Sequence, residues 1–304
     1  MIYDIIVIGG GAAGMTSALY ALRNGKSVLV LESDSIGGQI AMSPRLENYP
    51  SIKEISGEQF ASNLFEQIVS LGAEFEIEKV VKIEKDKTFK VITEYRSYEG
   101  KSVIIAAGVK HKHLRTSSNR EDLVGRGVYY CAICDGPFYK DREVMVIGDA
   151  NTALQYALLL SGYCKKVYVY TLFDKFFGDG SLVKALRAKE NIEVRPNTSV
   201  IDFVGEKELE SVLYKDKDGN VCRHDIPAVF VAIGQIPDNK AFSEFVDLDK
   251  DGYIIADEKC KTKTEGLFVA GDCRTKSVRQ VATAVADGAV AATNASLYID
   301  SLDA

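Results

Sequence analysis

No apolar run in this sequence reaches the roughly eighteen residues that a membrane-spanning helix needs, so a helical membrane anchor is not expected. Residues Met1 to Gly11 carry neither a basic leader nor a cleavage site, and they read instead as a buried strand meeting a glycine turn. The cytoplasm is therefore the expected location. Long blocks of one charge are missing as well. The net charge of -6 is spread along the chain, which argues against nucleic acid as the main partner. Histidine is scarce: His111, His113 and His224 are all there is. Of six cysteines, Cys131, Cys134, Cys164, Cys222, Cys260 and Cys273, only the first two are close in sequence. Without a second C-x-x-C or a nearby histidine pair, half of a zinc site is missing, and no metal is expected. The spacing is not that of a disulfide scaffold either.

What is present fits a globular enzyme. The 304 residues, 46% hydrophobic and 26% charged, are enough for two domains with ordinary cores. Two segments about 140 residues apart share one layout. In the first, the run Tyr3 to Ile8 meets Gly9-Gly10-Gly11-Ala12-Ala13-Gly14, a helix pattern follows through Met15, Leu19 and Leu22, and a second strand ends at Glu32. This is strand, G-x-G-x-x-G, helix, strand, acid. Gly9 permits the tight turn, Gly11 lets a pyrophosphate approach the backbone, and Gly14 lets helix pack on strand. Glu32 stands where a carboxylate accepts hydrogen bonds from a ribose.

The second segment runs from Glu143 to Ala153, with a helix to about Ser161 and a strand from Lys166 to Tyr170. Here the architecture repeats without the chemistry. Ala150 replaces the glycine of closest approach, and Asp149 puts a negative charge where a phosphate would sit. The strand ends in Tyr170-Thr171-Leu172-Phe173, with neither a ribose-binding acid nor an arginine for a 2′-phosphate. Two further β-rich runs, Ser102 to Gly108 and Ala228 to Gly234, end in glycine. Residues 69–100 and 193–225 read as β-meanders, the second with a turn at Asp218-Gly219. Near the C-terminus, Gly266 to Asp272 reads as a strand ending in Gly-Asp, and Arg279-Gln280-Val281 opens a small-residue helix running to about Tyr298.

With these residues in view, the chain resembles the low-molecular-weight thioredoxin reductases along its whole length. The matching blocks are Gly9 to Gly14, Gly37-Gly38-Gln39, Glu47-Asn48-Tyr49-Pro50, Cys131-Ala132-Ile133-Cys134-Asp135-Gly136, Gly271-Asp272 and Arg279-Gln280-Val281. The resemblance implies an α/β fold of two Rossmann-like three-layer domains of the FAD/NAD(P)-binding type. The FAD domain is discontinuous, 1–113 with 240–304, and 114–239 carries the dithiol on a degenerate NAD(P)H-binding fold. It implies FAD as cofactor, held by Gly9, Gly11, Ala12, Ala13, Gly14, Glu32 and Ser33. Gly38, Gln39, Asn48, Val80, Ala107 and Gly108 would join them, as would Gly271, Asp272, Arg279, Gln280 and Val281. By the same resemblance Cys134 is the thiol next to the flavin, Cys131 attacks the disulfide of thioredoxin, Asp135 handles the thiol proton, and the chain is a homodimer.

Members that use NADPH carry G-x-G-x-x-A and then H-R-R-x-x-x-R in the second domain. This sequence has Gly148-Asp149-Ala150-Asn151-Thr152-Ala153 and then Thr171-Leu172-Phe173-Asp174-Lys175-Phe176-Phe177. The three arginines that would grip a 2′-phosphate are missing. In this the chain looks like the ferredoxin-dependent flavin thioredoxin reductases, the pyridine-nucleotide-independent branch, with ferredoxin and thioredoxin as partners. An NAD(P)H-dependent reductase, an oxygen-dependent dithiol oxidase and a non-catalytic redox sensor remain alternatives. A dithiol that serves both a buried flavin and a protein disulfide is expected to move about the crossings near His113 and Lys240. Lys110, Lys112, Lys140, Arg142, Lys165 and Lys166 are candidates for a basic patch facing an acidic ferredoxin, against the alternative of scattered surface charge.

Overall fold

In the computed structural model, which describes residues 1–43, 46, 48–114 and 116–302, the chain forms two compact units, Met1–Lys110 with Ile236–Ala304, and His111–Gln235. These part a little before the crossings read from sequence, 110 against 113 and 235 against 239. Among the described residues no helix is long and apolar enough to cross a membrane.

The first unit opens with β1 (Ile2–Ile8), α1 (Ala12–Arg23), β2 (Val28–Glu32), α2 (Gly57–Ser70), β3 (Glu74–Ile77), β4 (Val80–Lys85), β5 (Phe89–Thr93) and β6 (Ser97–Ile105). Strands β1 and β2 are almost continuously apolar because a parallel sheet is covered on both faces. Ile5, Ile6 and Val7 are fully buried, each such side chain contributing roughly 1.5–3 kcal/mol. Helix α2 starts at Ser56, whose side chain accepts the Gln59 N–H.

The chain crosses through β7 (Lys110–His111) into the second unit. There follow β8 (Val128–Tyr129), α3 (Ala132–Asp135), β9 (Glu143–Ile147), α4 (Asn151–Ser161), β10 (Lys166–Tyr170), α5 (Gly180–Arg187), β11 (Ile192–Arg195), β12 (Ser199–Val204), β13 (Ser211–Lys215), β14 (Val221–Asp225) and β15 (Val229–Val231). It returns through β16 (Gln235–Ile236), which pairs with β7, and ends with β17 (Leu267–Val269) and α6 (Val281–Leu302).

The two units repeat one topology. In the first, β3, β2, β1, β6 and β17 are neighbours in that order and all parallel. In the second, β11, β10, β9, β15 and β8 are arranged the same way. Strand β6 is shared between two environments. Its first half pairs antiparallel with β5, and its second half pairs parallel with β17.

This corrects part of each meander, while β4, β5 and the first half of β6 do pair antiparallel in succession. Residues 74–77 lie in the parallel sheet beside β2, and 97–100 are the start of the strand that ends at Ile105. In the second unit Ile192–Arg195 pairs parallel with β10, and only β12, β13 and β14 form an antiparallel sheet. The cause is edge position. β3 and β11 lie at sheet edges and are only partly buried, with Glu74 and Ile77 exposed, so neither carries the continuous apolar run of a strand covered on both faces. The C-terminal helix continues past Tyr298 to Leu302.

Candidate active site and nucleotide turns

The dithiol sits on a single helical turn. Cys131 is the N-cap of α3, with extended backbone, and its Sγ accepts the Cys134 N–H at 3.2 Å. Cys131 and Cys134 form a disulfide with their Cα atoms 5.3 Å apart. Three groups hold this turn from behind. Tyr156 of α4 donates its hydroxyl to the Tyr130 carbonyl at 2.9 Å. The Tyr130 ring stacks on His111 with centroids 5.0 Å apart and tilts against His113 at 5.3 Å. A Cβ on Gly136 would lie 2.3 Å from the Tyr163 hydroxyl, so any larger residue there must displace that ring. Burial pushes the His111 imidazole down to about 4, with His113 adding to the effect.

Asp135 ends the turn. It is buried, its Oδ1 has no partner among the described residues, and burial pushes its carboxyl up to about 7. An acid tuned to neutrality beside a dithiol is suited to exchanging a proton with a thiol. Three of the other four cysteines differ. Burial raises the Cys164 and Cys260 thiols to about 11 and Cys273 to about 12, which keeps them protonated and unreactive. Cys273 donates to the Ala270 carbonyl at 3.4 Å inside the core of the first unit.

In the first unit the glycine turns gather at the C-terminal ends of β1, β2, β6 and β17, where sheets of this kind bind ligands. Gly9 has φ +112°, and a Cβ there would meet the Ala106 carbonyl oxygen at 2.3 Å. A Cβ on Gly14 would lie 1.8 Å from the Gly9 oxygen, so glycine is what lets α1 sit on β1. Ala12 and Ala13 begin α1 and are buried. Gly11 is open on its Cα side, with only the Gly37 oxygen at 3.8 Å, and Gly108 faces nothing within 4 Å. Gly38 lies against Gly11, and Gln39 donates to the Val109 carbonyl, which ties this turn to Ala107 and Gly108 beyond β6.

Glu32 is buried at the end of β2. Its Oε2 accepts the Gly10 N–H at 2.6 Å, and its Oε1 accepts the N–H groups of Ser33 and Asp34 at 2.7 and 3.0 Å, with the Ser33 hydroxyl at 3.2 Å. A carboxylate has about four acceptor positions, so Oε2 retains one for a ribose. Asn48 donates to Gln280 Oε1 at 3.0 Å, joining two segments the sequence singled out separately. Glu47 lies outside the described residues. Val281 opens α6 against the cluster of Ala12, Leu46 and Phe60, and Arg279 lies over the Tyr253 ring at 4.0 Å. Val80 packs against the hydrophobic cluster that includes Ile8 and Leu31. Asp272 carries a buried Oδ1 with no partner among the described residues, and burial raises its carboxyl. An open glycine cradle facing an orphaned buried carboxylate fits a dinucleotide with a polyhydroxyl chain. Gly271, Asp272 and Arg279 would hold that chain, and Gly9 to Gly14 the diphosphate.

The second turn is built differently. Gly148 keeps the tight geometry, with φ +147° and the Ala232 oxygen 2.4 Å from a Cβ position. The N-terminus of α4, however, is covered by the chain's own loop between β10 and α5. The Phe177 N–H donates to the Asp149 carbonyl at 2.7 Å. Asn151 Oδ1 accepts the Asp179 N–H at 2.7 Å, and Asn151 Nδ2 donates to Asp179 Oδ2 at 3.1 Å. A Cβ on Gly178 would lie 3.3 Å from Asn151 N, so loop backbone stands at the helix's first amide. Sequence reasoning saw the lost glycine and arginines but missed this loop, for which Gly178 was the available signal. It also missed Asp287, a lone acid in the small-residue stretch of α6. Of the candidate basic patch, Lys165 and Lys166 are paired with Glu143 and Glu193 at 3.2 and 2.5 Å.

Comparison with known proteins agrees with this geometry. Residues 3–288 match the family described as pyridine nucleotide-disulphide oxidoreductase. The chain is 40% identical to a thioredoxin reductase of Treponema pallidum over 99% of its length and 98% of that protein's. It is 35% identical to the thioredoxin reductase of Bacillus subtilis, covering 99% and 96%. The crystal structure of thioredoxin reductase from Streptococcus pyogenes superposes with a TM-score of 0.94, at 35% identity and 99% coverage of both chains. The chain belongs to the thioredoxin reductase family. Like the rest of that family it is a FAD-binding flavoprotein and a disulfide oxidoreductase.

Proposed function

We propose that this family member reduces thioredoxin with electrons from reduced ferredoxin, through FAD and the Cys131–Cys134 pair. The first unit, with the residues described above, is the FAD domain, and the second is the dithiol domain. The observation that carries the choice of donor is the α4 N-terminus, covered by the 171–179 loop and bordered by Asp149. A nucleotide phosphate needs those amides, and the first of them, that of Asn151, has the Gly178 backbone beside it. The missing arginines point the same way.

The chemistry balances as follows. Reducing the disulfide to two thiols takes two electrons and two protons, and each ferredoxin brings one electron. FAD, when bound, supplies the conversion of single electrons into a pair. The gap between a plant-type ferredoxin and thioredoxin is ~130 mV, or roughly 6 kcal/mol for two electrons, so the transfer is downhill. The Cys131 thiolate attacks the thioredoxin disulfide and expels one thioredoxin thiolate. Cys134 then attacks the Cys131 sulfur of the mixed disulfide, re-forming the internal bond and releasing the second thiolate. Asp135, poised near neutrality by burial, takes and returns the thiol proton.

The family's description favours a second reading, with NAD(P)H as donor. Anaerobic mixing of the oxidised protein with NADPH, NADH and photoreduced ferredoxin, with thioredoxin present, separates the two. Thioredoxin reduction with ferredoxin alone supports the proposal. Rapid bleaching of the flavin by NADPH overturns it.

A further inference from the structure

From Val281 to Ala292 helix α6 is small and apolar apart from Thr283 and one acid, Asp287. Its carboxylate is bonded three times. Oδ2 accepts the Gly271 N–H at 3.1 Å and Lys276 Nζ at 2.8 Å, and Oδ1 accepts Arg274 Nη1 at 3.0 Å. The side chains of Asp287, Arg274 and Lys276 are 14%, 11% and 9% exposed. Arg274 Nη2 donates to neutral carbonyls, those of Asp257 at 2.8 Å and Ala256 at 3.4 Å, and its buried Nε has no partner among the described residues. Two buried cations thus share one anion, and the bonded group carries one net positive charge.

This group stands directly behind the Gly271–Asp272 turn. Gly271 is bonded to it, Arg274 follows Asp272 by two residues, and Arg279 donates to the Asp272 carbonyl at 3.3 Å. The Asp272 carboxyl feels it: burial raises that group, while Lys276 and Arg279 pull it back down and Asp287 pushes it up. Charges buried to this degree are weakly screened by salt, so their sum acts on whatever borders the turn.

We propose that Asp287 is a positioning residue that fixes the Gly271–Asp272 turn and, together with Arg274 and Lys276, sets the charge experienced by the flavin. This rests on the reading that the turn borders the flavin. A net positive charge there favours the electron-rich flavin, so removing the acid and removing a base have opposite consequences. Asp287→Asn keeps the size and an acceptor for Gly271 while leaving two unopposed cations. Lys276→Gln leaves a neutral Arg274–Asp287 pair.

The test is the anaerobic equilibrium of each purified, FAD-loaded protein with a redox dye of known potential, read as the ratio of reduced to oxidised flavin. Retention of FAD on dialysis is measured alongside. Asp287→Asn should raise the ratio and Lys276→Gln lower it, each on the order of tenfold. A merely structural role would loosen FAD in both variants without opposite signs. Should Asp287→Asn not fold, the sign of the Lys276→Gln shift decides alone. Asp272→Ala is the control for placement. If it releases FAD or shifts the ratio while the other two variants leave the ratio unchanged or move it the same way, the proposal is wrong and the placement stands. If Asp272→Ala alters neither retention nor ratio, the turn does not border the flavin and the inference falls with it.

Discussion

Asp135 is an acid kept from water, and its burial has consequences for both stability and rate. Its carboxyl titrates near 7 in the folded chain against an ordinary value of 3.8. A raised folded value means the native state binds the extra proton, so its contribution is fully present below about pH 4 and is lost as pH rises to about 7. Asp135→Asn should therefore stabilise the protein at pH 8 by up to the order of 4 kcal/mol and have little effect at pH 4. Denaturant unfolding at the two pH values checks this, and equal effects at both would refute the assignment. The same substitution should flatten the pH dependence of thioredoxin reduction around 7 while lowering its rate. Cys131→Ser should abolish turnover yet leave the flavin reducible. Cys134→Ser should hold thioredoxin as a mixed disulfide through Cys131, visible as a mass adduct that dithiothreitol removes. A stable thioredoxin adduct formed by Cys131→Ser through Cys134 instead would reverse the roles.

Among the elements, the strand-turn-helix unit occurs twice, and close packing decides the fate of each copy. In the first, Gly14 lets α1 approach the Gly9 carbonyl. Gly14→Ala must displace the helix, an overpacking cost of about 1–3 kcal/mol, and the purified protein should lack the flavin absorbance of the parent. In the second copy the loop from Thr171 to Asp179 blocks the helix. Installing arginines by Leu172→Arg and Phe173→Arg should therefore not let NADPH bleach the flavin, because the Phe177–Asp149 and Asn151–Asp179 bonds still close the site. Bleaching in that double variant would show that charge alone had been missing.

The paired glycine turns, α1, β2, α4 and β10 were legible because glycine spacing and continuous apolar runs are local signals. Strands β3 and β11 were misread because an edge strand's pattern depends on neighbours that sequence does not name. Helix α2 is marked locally by the Ser56 cap and the spacing of Phe60, Leu64 and Ile68, though it carries no binding motif. The dithiol itself was plain. What surrounds it, Tyr156, Tyr163 and the His111–Tyr130 stack, depends on contacts across tens of residues that no spacing encodes.

On the scale of the whole molecule, the chain is expected to form a homodimer, which sedimentation over a hundredfold concentration range would reveal as a constant mass near twice that of the 33.3 kDa chain. A concentration-independent monomer would count against it. The first unit is assembled from residues 1–110 and 236–304, with the second unit, a continuous stretch, lying between. Helix α6 packs its small residues on α1: a Cβ on Gly288 would come within 2.4 Å of the Ala13 oxygen. A ribosome adding ~5–20 residues each second makes that partner surface roughly 10–40 s after it has finished the first 110 residues. For that interval the nascent chain carries half a domain with a bare helical face, while the enclosed domain is already free to fold. Under the proposed function, the order of synthesis is thus the reverse of the chemistry: the module that would deliver electrons matures before the one that would receive them.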